Sequence, residues 1–268
     1  MTQRPFKIIA IETSAQIGSV ALAKNAQLIE ENAFTENNRY ASELLTLLER
    51  LCRTHRLKPA DIDRIYVSQG PGSYTGLRVG ITAAKTLAFA HPIRLIAVPT
   101  SDVLALNVEN TSCLDENRDC AHIAVISDAG RDRIYVSLYR KSPDAAPSGD
   151  PGSASTPKLA PNPPGCSGKN PVPDLHLLAR PAVMTPREFL EKSPRPVAVL
   201  GQPLQHYRRH LTAAGVIHLP QSLWLPQARN LLRCGWLRER HRLFIQPDRL
   251  TPIYPRRPPP EEKLETSC

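Results

Sequence analysis

Three short apolar runs open the chain, at residues 6–12, 18–23 and 28–34, with Asn25 a turn residue between the last two. Runs of this length, bounded by turn residues, predict three strands in an antiparallel meander. The period then changes. Ala41, Leu44, Leu45, Leu48, Leu51, Cys52 and His55 recur at i, i+3, i+4 and i+7, which predicts an amphipathic helix over 40–57 whose apolar face Leu47 widens. A face that wide serves the chain's own core, a partner, or both. A β-branched and aromatic run at 65–67 follows, then glycines at 70, 72 and 76, then small and apolar residues suited to a helix over 76–89. A strand at 93–98 and a short helix at 101–107 complete the order βββαβαβα.

The order starts again in the second half. Glu12 precedes the apolar stretch 20–22 by eight residues, and Asp128 precedes 136–138 by eight, so an acidic residue is expected to end the first strand of each half. Residues 175–184 supply a third strand, and Thr185-Pro186-Arg187-Glu188 is a capping box with proline at the first helical position. The run 197–200 ending at Gly201 mirrors 65–67 ending near Gly70, but without the glycine-rich extension. A helix over 227–242 and an extended proline-rich tail at 255–260 close the chain. Antiparallel strands followed by parallel βα units, twice, predict an α/β fold of the actin-like ATPase or ribonuclease-H-like kind, with two similar βββαβα subdomains built on mixed sheets. The expected division is 1–108, 109–225 and a C-terminal helix and tail at 226–268. Between 142 and 173 Pro, Gly, Ser and Ala dominate, the composition of a disordered insertion.

Charge changes the picture modestly. Lys plus Arg number 34 against 25 Asp plus Glu in 268 residues, a net charge of +9, and about fourteen basic against four acidic residues lie between 180 and 257. A polyanion would meet that half first. Collagenous and coiled-coil compositions are excluded. Cys52, Cys113, Cys120, Cys166, Cys234 and Cys268 form no C-x-x-C pair and read as reduced thiols. The N-terminal residues run into the first strand without an apolar signal segment, and no run of eighteen apolar residues follows. We therefore expect a cytoplasmic protein with no membrane contact.

The stretch 64–89 carries the strongest candidate chemistry. A glycine loop opening a helix can aim backbone N–H groups at an anion, so Gly70, Gly72, Ser73, Thr75, Gly76 and Arg78 form a candidate nucleotide or anion loop. The spacing is neither a dinucleotide fingerprint nor a Lys-bearing phosphate loop. The competing account is a tight connection whose glycines supply positive φ or close backbone approach. Glu12 and Asp128, at matching strand ends, are candidate phosphate or Mg²⁺ positions, active in an ATPase or small-molecule kinase and vestigial otherwise. The eight histidines form no H-E-x-x-H pair, and no G-x-S-x-G elbow activates a serine.

The runs IIAIETSAQIGSVAL at 8–22, QGPGSYTGLRVG at 69–80 and ISDAGRDRIYVSLY at 126–139, with LTPIY at 250–254, resemble the TsaB (YeaZ) family. That family provides the dimerisation subunit of the bacterial machinery that forms threonylcarbamoyladenosine at position 37 of tRNAs reading codons that begin with A. The resemblance implies an actin-like fold and a non-catalytic scaffold that binds the catalytic subunit TsaD and works with the ATPase TsaE, meeting tRNA through the complex. It implies no tightly bound cofactor, with ATP or ADP at most at the partner interface, and a homodimer when the partner is absent. TsaD-like proteins hold a metal with two histidines at i, i+4 on the helix after the fifth strand; Thr100 and Leu104 occupy those positions here, and neither replaces an imidazole. By the same resemblance the helices at 40–57 and 76–89 pair with a partner's helices, which makes Tyr40, Leu44, Leu48, Leu51, Gly80, Ala83, Ala84 and Leu87 the expected partner-binding residues. Tyr40 departs from the histidine that the family often carries before Ser-Glu. Competing expectations are an autonomous ATPase or kinase using Glu12, Asp128 and the 70–78 loop, and a direct tRNA binder using the basic second half.

Overall fold

A computed structural model describes residues 4–35, 40–108, 120–141, 175–179 and 181–254. The 142–173 insertion, the 255–260 tail and Cys113, Cys166 and Cys268 lie outside the described residues.

The apolar runs become β1 (Lys7–Glu12), β2 (Ser19–Lys24) and β3 (Gln27–Ala33), followed by α1 (Tyr40–Thr54), β4 (Arg64–Gly70), α2 (Tyr74–Ala90), β5 (Arg94–Pro99) and α3 (Thr100–Ala105). Neighbour order in the first sheet is β3-β2-β1-β4-β5, antiparallel through β1 and parallel beyond it. The hairpin turn is fixed by Asn25, at φ 52°, whose Oδ1 accepts the Phe6 N–H at 2.9 Å. α1 ends three residues earlier than its apolar pattern, because Arg56 takes the left-handed conformation after it. α2 starts two residues earlier than expected. Ser73 caps it, its Oγ accepting the Gly76 N–H at 3.2 Å.

The second half repeats the plan with β6 (His122–Gly130), β7 (Arg133–Lys141), β8 (Leu175–Leu177), β9 (Ala182–Met184), α4 (Pro186–Lys192), β10 (Val197–Leu200), α5 (Leu204–Tyr207) and β11 (Val216–His218). Its order is β11-β10-β6-β7-β8, with β9 also on β7 and β10 parallel to both β6 and β11. Two differences from the sequence pattern appear. The third strand is split into β8 and β9, which pair with opposite ends of β7. β6 also runs beyond Asp128 to Gly130 through an irregular register, so that acid does not end its strand. The capping box at α4 forms as read, Glu188 N–H to Thr185 Oγ1 at 3.2 Å and Thr185 N–H to Glu188 Oε2 at 2.7 Å.

β1, β2, β4 and β5 of the first sheet are buried on both faces, which explains their nearly continuous apolar runs, while the edge strand β3 stays half-buried or exposed. Ile9, Ile11, Val20, Leu22, Ile65 and Val67 face α1 and α2. Their neighbours Ile8, Ala10, Ala21, Ala23, Tyr66 and Ile96 face the other way, into a core shared with α3, the second sheet and α6 (Ala228–Arg240). α6 has no side-chain cap of its own. Its first N–H groups are instead taken by Ser19 Oγ of β2, from Ala228 at 2.9 Å, and by Glu31 Oε1 of β3, from Arg229 at 3.0 Å. The last α-helix among the described residues thereby starts on the first sheet.

Candidate functional site

The turn after β1 and the glycine loop after β4 lie side by side, and their spacing is set by missing side chains. A β-carbon on Gly72 would stand 2.2 Å from the carbonyl oxygen of Ser14, and Ser73 N–H donates to that same oxygen at 2.7 Å. Gly70 has φ +101°, and a β-carbon there would lie 2.7 Å from the Ile253 carbonyl oxygen. The loop is therefore held from two directions, by the Ser14 turn and by residues 251–254. Ile253 N–H donates to Gln69 O at 2.7 Å, and Gln69 Nε2 donates to Thr251 O at 2.8 Å. Sequence reading missed this second clamp, although the LTPIY run marked the segment.

This arrangement uses up much of what an anion cradle would offer. Ser73 N–H goes to Ser14, Gly76 N–H to Ser73 Oγ and Leu77 N–H to Ser73 O. Gly76 is buried, Thr75 is exposed. Arg78 lies over the Tyr74 ring at 5.2 Å, with Nη1 donating to the Tyr74 hydroxyl at 2.9 Å, and Tyr74 stacks in turn on Tyr254 at 5.0 Å between ring centres. Of the two accounts of the glycines, close approach and positive φ describe Gly70 and Gly72 directly.

Between the two halves is a cleft of about 340 Å³, lined by Ser14, Ala15 and Gln16, by Pro71–Ser73, by Thr100 and Leu104, and across from them by Ile126–Asp128, Gln202, Pro203, Gln205–Tyr207 and Trp224. The matched carboxylates part company here. Asp128 is exposed and lines the cleft, whereas Glu12 is buried behind it and is not among the lining residues. Glu12 Oε1 accepts the N–H of Ser14 at 2.7 Å and its hydroxyl at 2.5 Å. Burial raises its pKa above the usual carboxylate value, opposed by hydrogen bonds from Ser14 and Ser68. That is the setting of a carboxyl that ties a turn, not of one presented to a metal ion. Thr100 and Leu104 bring to the cleft a hydroxyl and a hydrocarbon side chain, and Thr100 Oγ1 is buried without a hydrogen-bond partner among the described residues. Asp102, between them, points away; Tyr139 of β7 donates its hydroxyl to Asp102 Oδ1 at 2.7 Å.

The expected partner-binding residues divide. Leu44, Leu48 and Leu51 of α1, and Gly80 and Ala84 of α2, are buried in the chain's own core. The physical reason is direct: the i, i+3, i+4, i+7 stripe that identified α1 is the stripe its own sheet requires, and the small residues of α2 let it sit close to β1. A β-carbon on Gly80 would lie 2.3 Å from Thr13 Oγ1. Ala83 and Leu87 are half-buried, and of Tyr40 only the backbone place in α1 is described. The apolar groups that these helices turn outward are others: Leu45 at 64% exposure, Tyr74 at 52% and Phe89 at 70%. Leu45 stood in the sequence pattern, but its position beside Leu44 puts it off the buried stripe.

Comparison with known proteins follows the same lines. The family model for TsaD, tRNA N6-adenosine threonylcarbamoyltransferase, matches residues 33–147. The tRNA threonylcarbamoyladenosine biosynthesis protein TsaB of Bacillus subtilis (strain 168) is 33% identical over 133 residues, covering 50% of this chain and 55% of that protein. The tRNA N6-adenosine threonylcarbamoyltransferase of Bacillus thuringiensis (strain Al Hakam) is 32% identical over 107 residues, 34% of this chain and 31% of that enzyme. The chain thus spans about half the length of the first of these relatives and less than a third of the second. Among solved structures, YeaZ from Pseudomonas aeruginosa superposes with a TM-score of 0.66 at 19% identity, over 92% of this chain and 100% of that one. A second structure, described as an uncharacterized protein with similarity to peptidase YeaZ from Pseudomonas aeruginosa, gives 0.67 at 20% identity, over 94% and 100%. At such identity the likeness speaks for the fold alone, the two-sheet actin-like α/β architecture, and it does so over nearly the whole chain.

Proposed function

We propose, from the premise that this chain is related to the TsaB (YeaZ) family, that it serves threonylcarbamoyladenosine formation in tRNA as a non-catalytic subunit that binds a TsaD-like catalytic subunit. The observation that carries the docking role is the outward side of α1 and α2. These helices pack on each other, and Leu45, Tyr74 and Phe89 are half of the large apolar side chains that stand exposed among the described residues. Exposed apolar side chains on two adjacent helices fit a bundle-type contact with a partner's helices. The scaffold role is supported by Thr100 and Leu104, which offer no imidazole at the positions where the resemblance places the TsaD metal ligands. Nucleotide, on this reading, is not held by the glycine loop alone, whose N–H groups at Ser73, Gly76 and Leu77 are already committed. A TsaE-like ATPase and tRNA join through the complex, and the same helix face serves a second copy of the chain when the partner is scarce.

The test is co-purification with the TsaD-like subunit, alongside reconstituted tRNA modification with and without this chain. Leu45→Arg combined with Phe89→Glu is expected to abolish the complex and the stimulation of modification while leaving the melting temperature within a degree or two, since exposed positions carry about 0.5 kcal/mol or less. Leu48→Arg, at a buried site, is expected to unfold the chain instead. Undiminished complex formation by the folded double variant would overturn the docking surface. Robust ATP turnover by the isolated chain, lost on Glu12→Ala, would favour the enzyme reading over the scaffold.

A further inference from the structure

One rim of the cleft carries positive charge that no carboxylate among the described residues pairs. α5 and the 3-10 turn Arg208–Leu211 that continues it are anchored by Leu204 and Leu211, both buried, and between these anchors Gln205, His206, Arg208, Arg209 and His210 are exposed. Four other cations of this half are matched to carboxylates: Arg187 to Glu191 at 2.9 Å, Lys192 to Glu188 at 3.7 Å, Arg229 to Glu31 at 2.5 Å and Arg238 to Asp102 at 3.8 Å, while Arg195 bonds the carbonyl oxygens of Leu190 and Ala214. Among the described residues, neither Arg208 nor Arg209 has such a partner. Tyr207 lies between the run and the cleft, half-buried, its ring edge-on to His210 at 6.4 Å.

We propose that residues 206–210 form an RNA-binding rim, on which Arg208 and Arg209 meet backbone phosphates and the Tyr207–His210 pair offers a stacking surface. The placement of Asp128 decides where the polyanion lies. Asp128 lines the cleft, and it and Asp132 both act on Tyr207, so a phosphate on the cleft side of that ring would meet carboxylates, whereas one crossing the rim at 208–209 meets the two guanidinium groups. A chain of phosphates running past the mouth of the cleft fits this charge pattern better than a nucleotide within it. Identifying the RNA as tRNA rests on the function proposed above; the RNA contact itself does not.

The experiment measures binding of a fluorescent, unmodified tRNA transcript to the full chain by anisotropy between 50 and 200 mM salt, alone and with the TsaD-like subunit. Arg208→Gln with Arg209→Gln is expected to weaken binding at low salt by roughly tenfold and to make the log–log salt slope shallower by about 2, one for each phosphate no longer neutralised. Arg240→Gln with Arg242→Gln, exposed at the end of α6, is the control and is expected to change the slope little. Equal losses in both double variants would mean diffuse charge attraction and overturn the proposal, as would unchanged tRNA affinity in the first. Binding to vesicles rich in phosphatidylserine that depends on Arg208 and Arg209, without tRNA binding, would reassign the rim to a membrane surface and overturn it too. Partner docking that survives while tRNA affinity is unchanged removes this inference alone. Arg208- and Arg209-dependent tRNA binding by a chain that modification does not require removes the proposed function alone.

Discussion

Thr13, just past the end of β1, and Gly80 of α2 are a matched pair. A β-carbon at position 80 would lie 2.3 Å from Thr13 Oγ1, while the next nearest atoms, Thr13 Cβ and Ile11 Cγ2, are 3.4 Å away. Gly80→Ala is therefore expected to destabilise the chain by about 1–3 kcal/mol through overpacking. Thr13 Oγ1 has no hydrogen-bond partner among the described residues, so its removal sacrifices no bond. Gly80→Ala placed on a Thr13→Ala background should then be neutral or gain up to about 1 kcal/mol of helix propensity. Denaturant melts of the four chains check the cycle, and a double variant as unstable as the single glycine change would show that the clash lies elsewhere. Glu12 gives a prediction in pH. Its folded pKa is raised above the ordinary 4.5 by burial, so its ionised form opposes folding. The stability this group allows is full below pH 4.5 and is lost as pH rises through the raised folded value. Glu12→Gln, which cannot ionise, is expected to melt higher than the parent at about pH 7–8, with the advantage fading as the pH falls towards the ordinary carboxyl value. An advantage that grew on acidification would contradict the assignment.

At the scale of elements, what the sequence made legible and what it concealed separate cleanly by the range of the interaction. β1–β3, α1, the glycine loop and the capped start of α4 rest on local causes: apolar period, turn residues at Asn25, and a box whose members are three residues apart. The two-sheet repeat was legible for the same reason. Periodicity says that a helix has a face to bury but not what covers it; the first sheet holds Leu44, Leu48 and Leu51. The equal spacing of Glu12 and Asp128 concealed opposite environments, because the irregular register near Gly130 lets β6 continue and leaves Asp128 exposed while Glu12 is sealed beneath the Ser14 turn. The capping of α6 by Ser19 and Glu31, and the clamp of residues 251–254 on Gly70, join parts of the chain about two hundred residues apart. No local pattern announces such pairs. The candidate docking face and the basic rim were hidden in the same way, since both depend on which residues the core leaves out.

Across the whole molecule, the two halves share one interior. The core that contains Ile8, Ala10 and Tyr66 of the first sheet also contains Ile123, Val125 and Val199 of the second, with Val103 of α3 and Leu231 of α6 between them. Polar ties cross the same seam. Asn107 donates to the carbonyl oxygens of Leu223 and Leu225, both at 2.8 Å, and accepts from Asn230 at 2.7 Å. Arg64 and Tyr66 of β4 both bond Glu239 of α6, and a β-carbon on Gly235 would strike the Tyr66 ring at 2.2 Å. Tyr139 reaches from β7 to Asp102 of α3, where Arg238 of α6 also stands. Because apolar burial and these bonds run across both sheets, neither half can open without exposing the other's core, and unfolding is expected as a single calorimetric transition. Tyr139→Phe tests the seam, since it removes the hydroxyl that a buried Asp102 relies on and leaves packing nearly unchanged. It is expected to cost about 1–3 kcal/mol and to move the whole transition down in temperature as one peak. Two resolved peaks, one unmoved by the substitution, would show that the sheets melt independently and that the shared core does not bind them into one cooperative unit.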